Sequence, residues 1–374
     1  MRLTRLLVAL VALAGCSIKE LTIETTAGLL SQGSQSMADE TDFELARAAI
    51  PGQLKTVDGL LVSAPENRTL LELAARGELE FSFGFLEDDL EKLADKGGPE
   101  RRLASARASA LYDRAFGHAL RYLATFDPHI RDALTRSDAA FADAVKGLPK
   151  ESVAGLTYGG MALASAINLD RADPARVADV PAARALLERA YALDPTFYFG
   201  GAAMSLGIMS AQTGHKDDAR RYLHEAVDAS GGRYLLTRLM MARTLLEGGE
   251  RRAALHAVLE APADALPHAR LANEIAKRRA LRDQRTLTVF RAAPRFFAVR
   301  PPQHSETTAV PCWQGACSGA PSRCAESTFV SPWPGLPPAR AAAPLMTEPA
   351  PPLTRPPSRA TRPARRSRPI SRTC

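Results

Sequence analysis

The chain has 374 residues, of which 46% are hydrophobic and 24% charged, with a formal net charge of +7. A length of this order holds one large or two ordinary domains, and the positive balance suggests nucleic acid or an acidic surface as a partner. The charge sits in one segment: residues 291–374 are net +9, with twelve arginines, no lysine, no aspartate and three glutamates, so the remainder of the chain is net −2 and no nucleic-acid partner is expected of it.

Taken from the amino terminus, Arg2 and Arg5 precede a short apolar run, and Leu13-Ala14-Gly15-Cys16 follows. A basic start, a brief apolar stretch and small residues at its end read as a secretory signal peptide. The run is too short to span a bilayer, which takes roughly 20 residues. Leu13-Ala14-Gly15-Cys16 resembles the bacterial lipobox, where the cysteine thiol is alkylated and becomes the new amino terminus. On this reading residues 1–15 are a lipoprotein signal peptide, Cys16 is the lipidation site, and residues 16–36 are a lipidated linker. Ser17 rather than aspartate after the cysteine favours the outer membrane.

Residues 37–290 contain no cysteine, so a domain outside the cytoplasm would stand without disulfides. Apolar residues recur there with a helical period, and alanine, leucine, arginine and glutamate dominate, all good helix formers. The spacing predicts helices at about 40–50, 52–63, 68–95, 99–125, 128–146, 151–167, 181–193, 199–213, 216–229, 233–247, 250–259 and 265–283, with Pro51, Pro65, Pro149 and Pro262 among the breaks. The expected fold is all-α.

The second half repeats. Leu206, Gly214 and Ala219 are followed 34 residues later by Met240, Gly248 and Ala253, and Ala219 and Ala226 are preceded by Ala185 and Ala192 at the same interval. Thirty-four is the tetratricopeptide period. Small residues at Gly207, Ala219 and Ala226 suit the close approach of two antiparallel helices, and Gly214 suits the turn between them. These units predict a helix-pair, tetratricopeptide-like solenoid or bundle.

No catalytic constellation is visible. The seven histidines make no H-x3-H or H-E-x2-H pattern, Cys312, Cys317 and Cys324 have no nearby histidine to complete a zinc site, and there is no nucleophile elbow or phosphate-binding glycine loop. No metal, cofactor or catalytic residue is expected. Glu87-Asp88-Asp89 reads as a solvated helix face. Phe81 and Phe85 share one helix face, with Phe83 directed elsewhere, and Tyr191, Phe197, Tyr198 and Phe199 cluster in sequence around Asp194-Pro195. Met204, Met209, Met240 and Met241 fall on the first helices of successive repeats. Core packing explains such residues by default. The alternative is a permissive apolar lining, because methionine adapts to varied shapes; its candidates are Met204, Met209, Met240, Phe81 and Phe85. Residues 291–374 hold 17 of the 27 prolines and show no hydrophobic period, which predicts a disordered tail. That composition fits a proline-rich cell-wall spacer or, above all, a GC-rich gene read out of frame; a nucleic-acid arm is disfavoured because the tail would sit outside the cytoplasm.

Several segments together resemble one family: the lipobox, Leu70-Leu71-Glu72-Leu73-Ala74-Ala75-Arg76-Gly77, Phe81-x3-Phe85-Leu86-Glu87-Asp88, Arg107-x3-Leu111-Tyr112, Asn168-Leu169-x4-Pro174, the stretch from Ala183 to Pro195, Ser230-Gly231-Gly232 and the run from Arg270 to Ala280. In order and spacing they are similar to the T component of TRAP transporters. The resemblance implies a periplasmic lipoprotein held by its lipid anchor. It implies a homotrimeric assembly, a pore or cleft in each subunit, and partnership with a periplasmic solute-binding protein of the TRAP type that handles apolar or carboxylate-bearing ligands. The rival expectation is a tetratricopeptide scaffold lipoprotein for outer-membrane or pilus assembly, which binds partner peptides and carries no solute. Tyr158 stands among Gly155, Gly159 and Gly160 where family members often carry tryptophan, and the last helix drifts into the tail after Ala280.

Overall fold

A computed structural model describes residues 21–93 and 98–292, with side chains described through residue 287. Cys16, the signal peptide and nearly all of the predicted tail lie outside the described residues. The described residues form helices joined by turns and short connecting segments, with no strand among them.

Helix α1 (21–38) comes first. It occupies the stretch assigned to a linker, and it packs: Ala27 is fully buried, Ile23 and Leu30 lie against the main core, and Met37 reaches a second cluster. Helices α2 (Phe43–Ser63) and α3 (Arg68–Phe81) follow. Asp42 caps α2 by accepting from the Glu44 and Leu45 amides, and Asn67 caps α3 by accepting from that of Leu70. Pro51, expected to end a helix, sits inside α2. Packing of Ile50, Leu54, Val57 and Leu61 on one face outweighs the single backbone hydrogen bond a proline removes.

The helix predicted over 68–95 is interrupted. After α3 the chain forms a π-turn over Ser82–Leu86 and resumes as α4 (Glu87–Lys92). Then come α5 (Gly98–Ala124), α6 (Ile130–Arg136) and α7 (Asp138–Gly147). The last two replace one expected helix because Ser137 is extended, with φ −176° and ψ 160°, and its hydroxyl caps α7 by accepting from Ala140. Helix α8 (Val153–Leu169) buries 11 of its 17 residues, the pattern of a helix surrounded on all sides. Its glycines permit this. A Cβ at Gly155 would stand 2.5 Å from Tyr122, and one at Gly160 would stand 2.7 Å from Leu187. The short α9 (Pro174–Ala178) was not anticipated, and α10 (Val180–Leu193) follows it.

The repetitive half forms α11 (Phe197–Gln212), α12 (Lys216–Asp228), α13 (Leu235–Leu245) and α14 (Gly248–Glu260). Helices α11 and α12 pack closely around Gly207, where a Cβ would meet Leu223 Cγ at 2.7 Å and the Ala219 carbonyl oxygen at 3.2 Å. Helix α15 (Arg270–Ala292) ends the described chain and continues through Ala280 without a break. Substituting Gly207→Ala forces two backbones apart, and urea unfolding is expected to show a loss of about 1–3 kcal/mol. The same change at the solvent-open Gly59, which has nothing within 4 Å, is expected to be neutral or stabilising.

Candidate functional site

Helices α2, α3, α8, α11, α13 and α15 do not fill the space between them. A cavity of about 300 Å³ remains, and α1, the π-turn and α4 add to its wall. Its body is apolar. Leu54, Leu79, Phe85, Ile208, Leu271 and Ile275 form much of it, together with the sulfur side chains of Met161, Met204, Met209 and Met240. Met204, Met209, Met240 and Phe85 therefore line the cavity. Phe81 does not: it stacks behind Phe85 with ring centroids 5.1 Å apart. Phe83, expected to point elsewhere, faces in. A π-turn carries an extra residue per turn and rotates the following side chains relative to a regular helix.

Tyr198, Phe199 and Gly200 make one wall in an uncommon way. All three adopt left-handed backbone, with φ of 49°, 56° and 77°. For residues with a Cβ this costs roughly 1–2 kcal/mol each. The geometry turns Tyr198 and Phe199 toward the cavity. There the Tyr198 hydroxyl donates to Glu80 Oε1 at 2.8 Å, and the Phe199 ring stacks on Tyr234 at 4.7 Å. Tyr158 packs edge-on against Tyr198 at 5.2 Å. Strain of this kind persists where surrounding structure over-determines it, commonly at a functional site.

Two polar regions interrupt the apolar lining. The first is Arg76 with Glu80, paired at 2.8 Å. The Glu80 charge raises the Arg76 pKa further, and burial together with Glu80 pushes the Tyr198 hydroxyl well above its ordinary value. The second region centres on Arg279, which is 1% exposed. Its guanidinium lies 4.2 Å over the Phe83 ring, donates to the Phe83 carbonyl and approaches Glu91 at 3.7 Å, while its Nε has no hydrogen-bond partner. Arg243 forms two-pronged pairs with Glu91, at 2.8 and 3.2 Å, and with Asp283, at 2.8 and 3.0 Å. Arg282 bonds Asp88 at 2.8 Å and also Glu91.

Burial acts to raise the Glu91 pKa, but Arg279, Arg243 and Arg282 outweigh it and hold the group at about 2. Glu87 goes the other way: burial raises it, against the pull of Arg279 and a hydrogen bond from Tyr112 at 2.5 Å. The run Glu87-Asp88-Asp89 is thus no solvated face. Asp88 is buried between Arg282 and Lys92, Glu87 lines the cavity, and Asp89 pairs with Arg47. Sequence reasoning missed Arg76, Arg243 and Arg279, because an arginine on a buried helix face has no local signature.

An apolar chamber with a few fixed polar groups is the ordinary form of a small-molecule site. A family model for the TRAP transporter T-component matches residues 39–285. The chain belongs to that family. The match spans α2 to most of α15 and includes the cavity, apart from the α1 residues on its wall. No curated protein matches the chain. Membership makes this T component an accessory of TRAP transport. Among the described residues no helix is long and apolar enough to cross a membrane.

The Glu91 pairing predicts a pH dependence. A carboxylate held below its ordinary 4.5 contributes stability that is fully present above that value and is lost as pH falls toward about 2. Glu91→Gln is therefore expected to lower the melting temperature strongly at pH 7, where it leaves three arginines short of a partner. The difference from the parent chain is expected to shrink below pH 3, as measured by thermal unfolding across pH.

Proposed function

We propose that this T component is a lipid-anchored periplasmic protein that holds a compact amphipathic ligand in its cavity and works with a TRAP-type solute-binding protein. Cys16 is the anchor on this reading, in the outer membrane. The helices from α1 to α15 form the tetratricopeptide-like working domain, and three copies associate. The single observation that carries the ligand-binding part is the cavity, an apolar chamber with polar groups at two fixed places. A cavity of roughly 150 Å³ takes benzene, so about 300 Å³ suits a molecule about twice that size and not a two-chain lipid. The adaptable methionines supply tolerance, and Arg76 and Arg279 supply the polar recognition. The family's transport role, and the absence from the sequence of a catalytic constellation, support a binding protein over an enzyme.

Two experiments test this. N-phenyl-1-naphthylamine, an apolar fluorophore, is expected to bind the chain with blue-shifted emission. Ala164→Trp places bulk into the cavity wall and is expected to weaken binding about tenfold or more, since a filled pocket forfeits most of the burial energy, with helicity by circular dichroism unchanged. Equal binding by the variant overturns the ligand assignment. Separately, the mature chain used as bait in periplasmic extract is expected to retain a TRAP-type solute-binding protein. Recovery of outer-membrane assembly or pilus proteins in its place would make it a scaffold.

A further inference from the structure

A second group of side chains lies outside the cavity lining. Asp58 on α2, Glu78 on α3 and His118 on α5 each offer one ligand atom, and these atoms all lie within 4.8 Å of one another. Glu78 is the most deeply buried of the three. Its side chain is 1% exposed, on the same helix face as the buried Leu71, Ala74 and Ala75. A carboxylate in that position carries a desolvation penalty of several kcal/mol, on the order given for buried ions, unless it is well paired. Both of its oxygens are met from α5. Oε2 stands 3.1 Å from His118 Nδ1, and Oε1 is ion-paired with Arg114 Nη2 at 2.5 Å.

The charges that balance the two carboxylates come from the solvent side. Arg114 also reaches Asp58 Oδ2 at 2.7 Å, and Lys55 reaches the same oxygen at 2.7 Å. Their side chains are 41% and 69% exposed. Both are long and half-exposed, so each can swing into water once another cation answers the carboxylates it leaves. The three donors have shorter side chains and are only 24%, 1% and 14% exposed for Asp58, Glu78 and His118, so they stay in place.

We propose that Asp58, Glu78 and His118 bind a divalent cation of the zinc type, and that Arg114 and Lys55 stand in for its charge when the metal is absent. One imidazole and two carboxylates form a mixed nitrogen and oxygen set that suits zinc, and three protein ligands leave a fourth position for water. The ligands come from three helices, so the ion joins α2, α3 and α5. Val57 and Gly77, next to Asp58 and Glu78 in the chain, line the cavity. Metal binding would therefore stiffen one cavity wall without touching a ligand held there.

The test uses the full chain without a histidine tag, purified in detergent, stripped with chelator and titrated with zinc chloride by calorimetry. One ion per chain is expected, with a rise in melting temperature. His118→Asn is expected to weaken binding about tenfold or more, the scale of losing part of a metal's ligand environment. Arg114→Ala removes the competing cation and is expected to tighten binding about threefold, the scale of a partly exposed ion pair. Glu78 is left intact because its replacement could unfold the chain. If the groups form only a structural ion-pair network, Arg114→Ala lowers stability and gains no zinc affinity. That result, the absence of 1:1 binding, or unchanged affinity in the histidine variant would each overturn the proposal.

Discussion

Arg279 places a guanidinium where the seam between α15 and the π-turn would ordinarily hold a leucine. A buried cation without partners would cost several kcal/mol, on the order known for broken interior ion pairs, so its surroundings must answer it. The Phe83 ring and carbonyl, and the Glu91 carboxylate, do so. Glu91 is in turn shared with Arg243 and Arg282, which tie in Asp283 and Asp88. Apolar packing alone tolerates many seatings of one helix against another. Two-pronged arginine–carboxylate pairs do not, and these pairs set how α13 and α15 close over α4.

The chamber is itself a cost. The helices around it forgo the contacts that a filled core would make. The left-handed turn at Tyr198–Phe199 adds strain at the same place. Two penalties concentrated on one chamber are hard to reconcile with a bundle shaped for stability alone. They fit the proposed reading, in which the chamber is a binding site.

Much of this was legible one residue at a time. The 34-residue interval located the helix pairs, and Gly207, Ala219 and Ala226 marked where they touch. Met204, Met209 and Met240 sat on the first helices of successive pairs, and the structure sets them on a common chamber. Other features resisted reading for identifiable reasons. Phe81 and Phe83 exchange roles because a π-turn shifts the helical register that the reading assumed. Glu87-Asp88-Asp89 resembled any solvated acidic run, since the arginines that bury it belong to α13 and α15. Pro51 reads as a break in isolation, yet lies within α2 because the apolar face on both sides holds the helix together.

Helix type, helix limits within a few residues and the close-packing faces follow from neighbours in the chain, because propensity, capping and a 3.6-residue period are local properties. The chamber and its charges do not follow in that way. Arg243 meets Glu91 across 152 residues, and Arg279 meets Phe83 across 196. A cavity is the volume that several helices together leave unfilled, and no one helix encodes it. The Asp58, Glu78 and His118 grouping is of the same kind: each residue is unremarked on its own helix, and only the packing of three helices makes them neighbours.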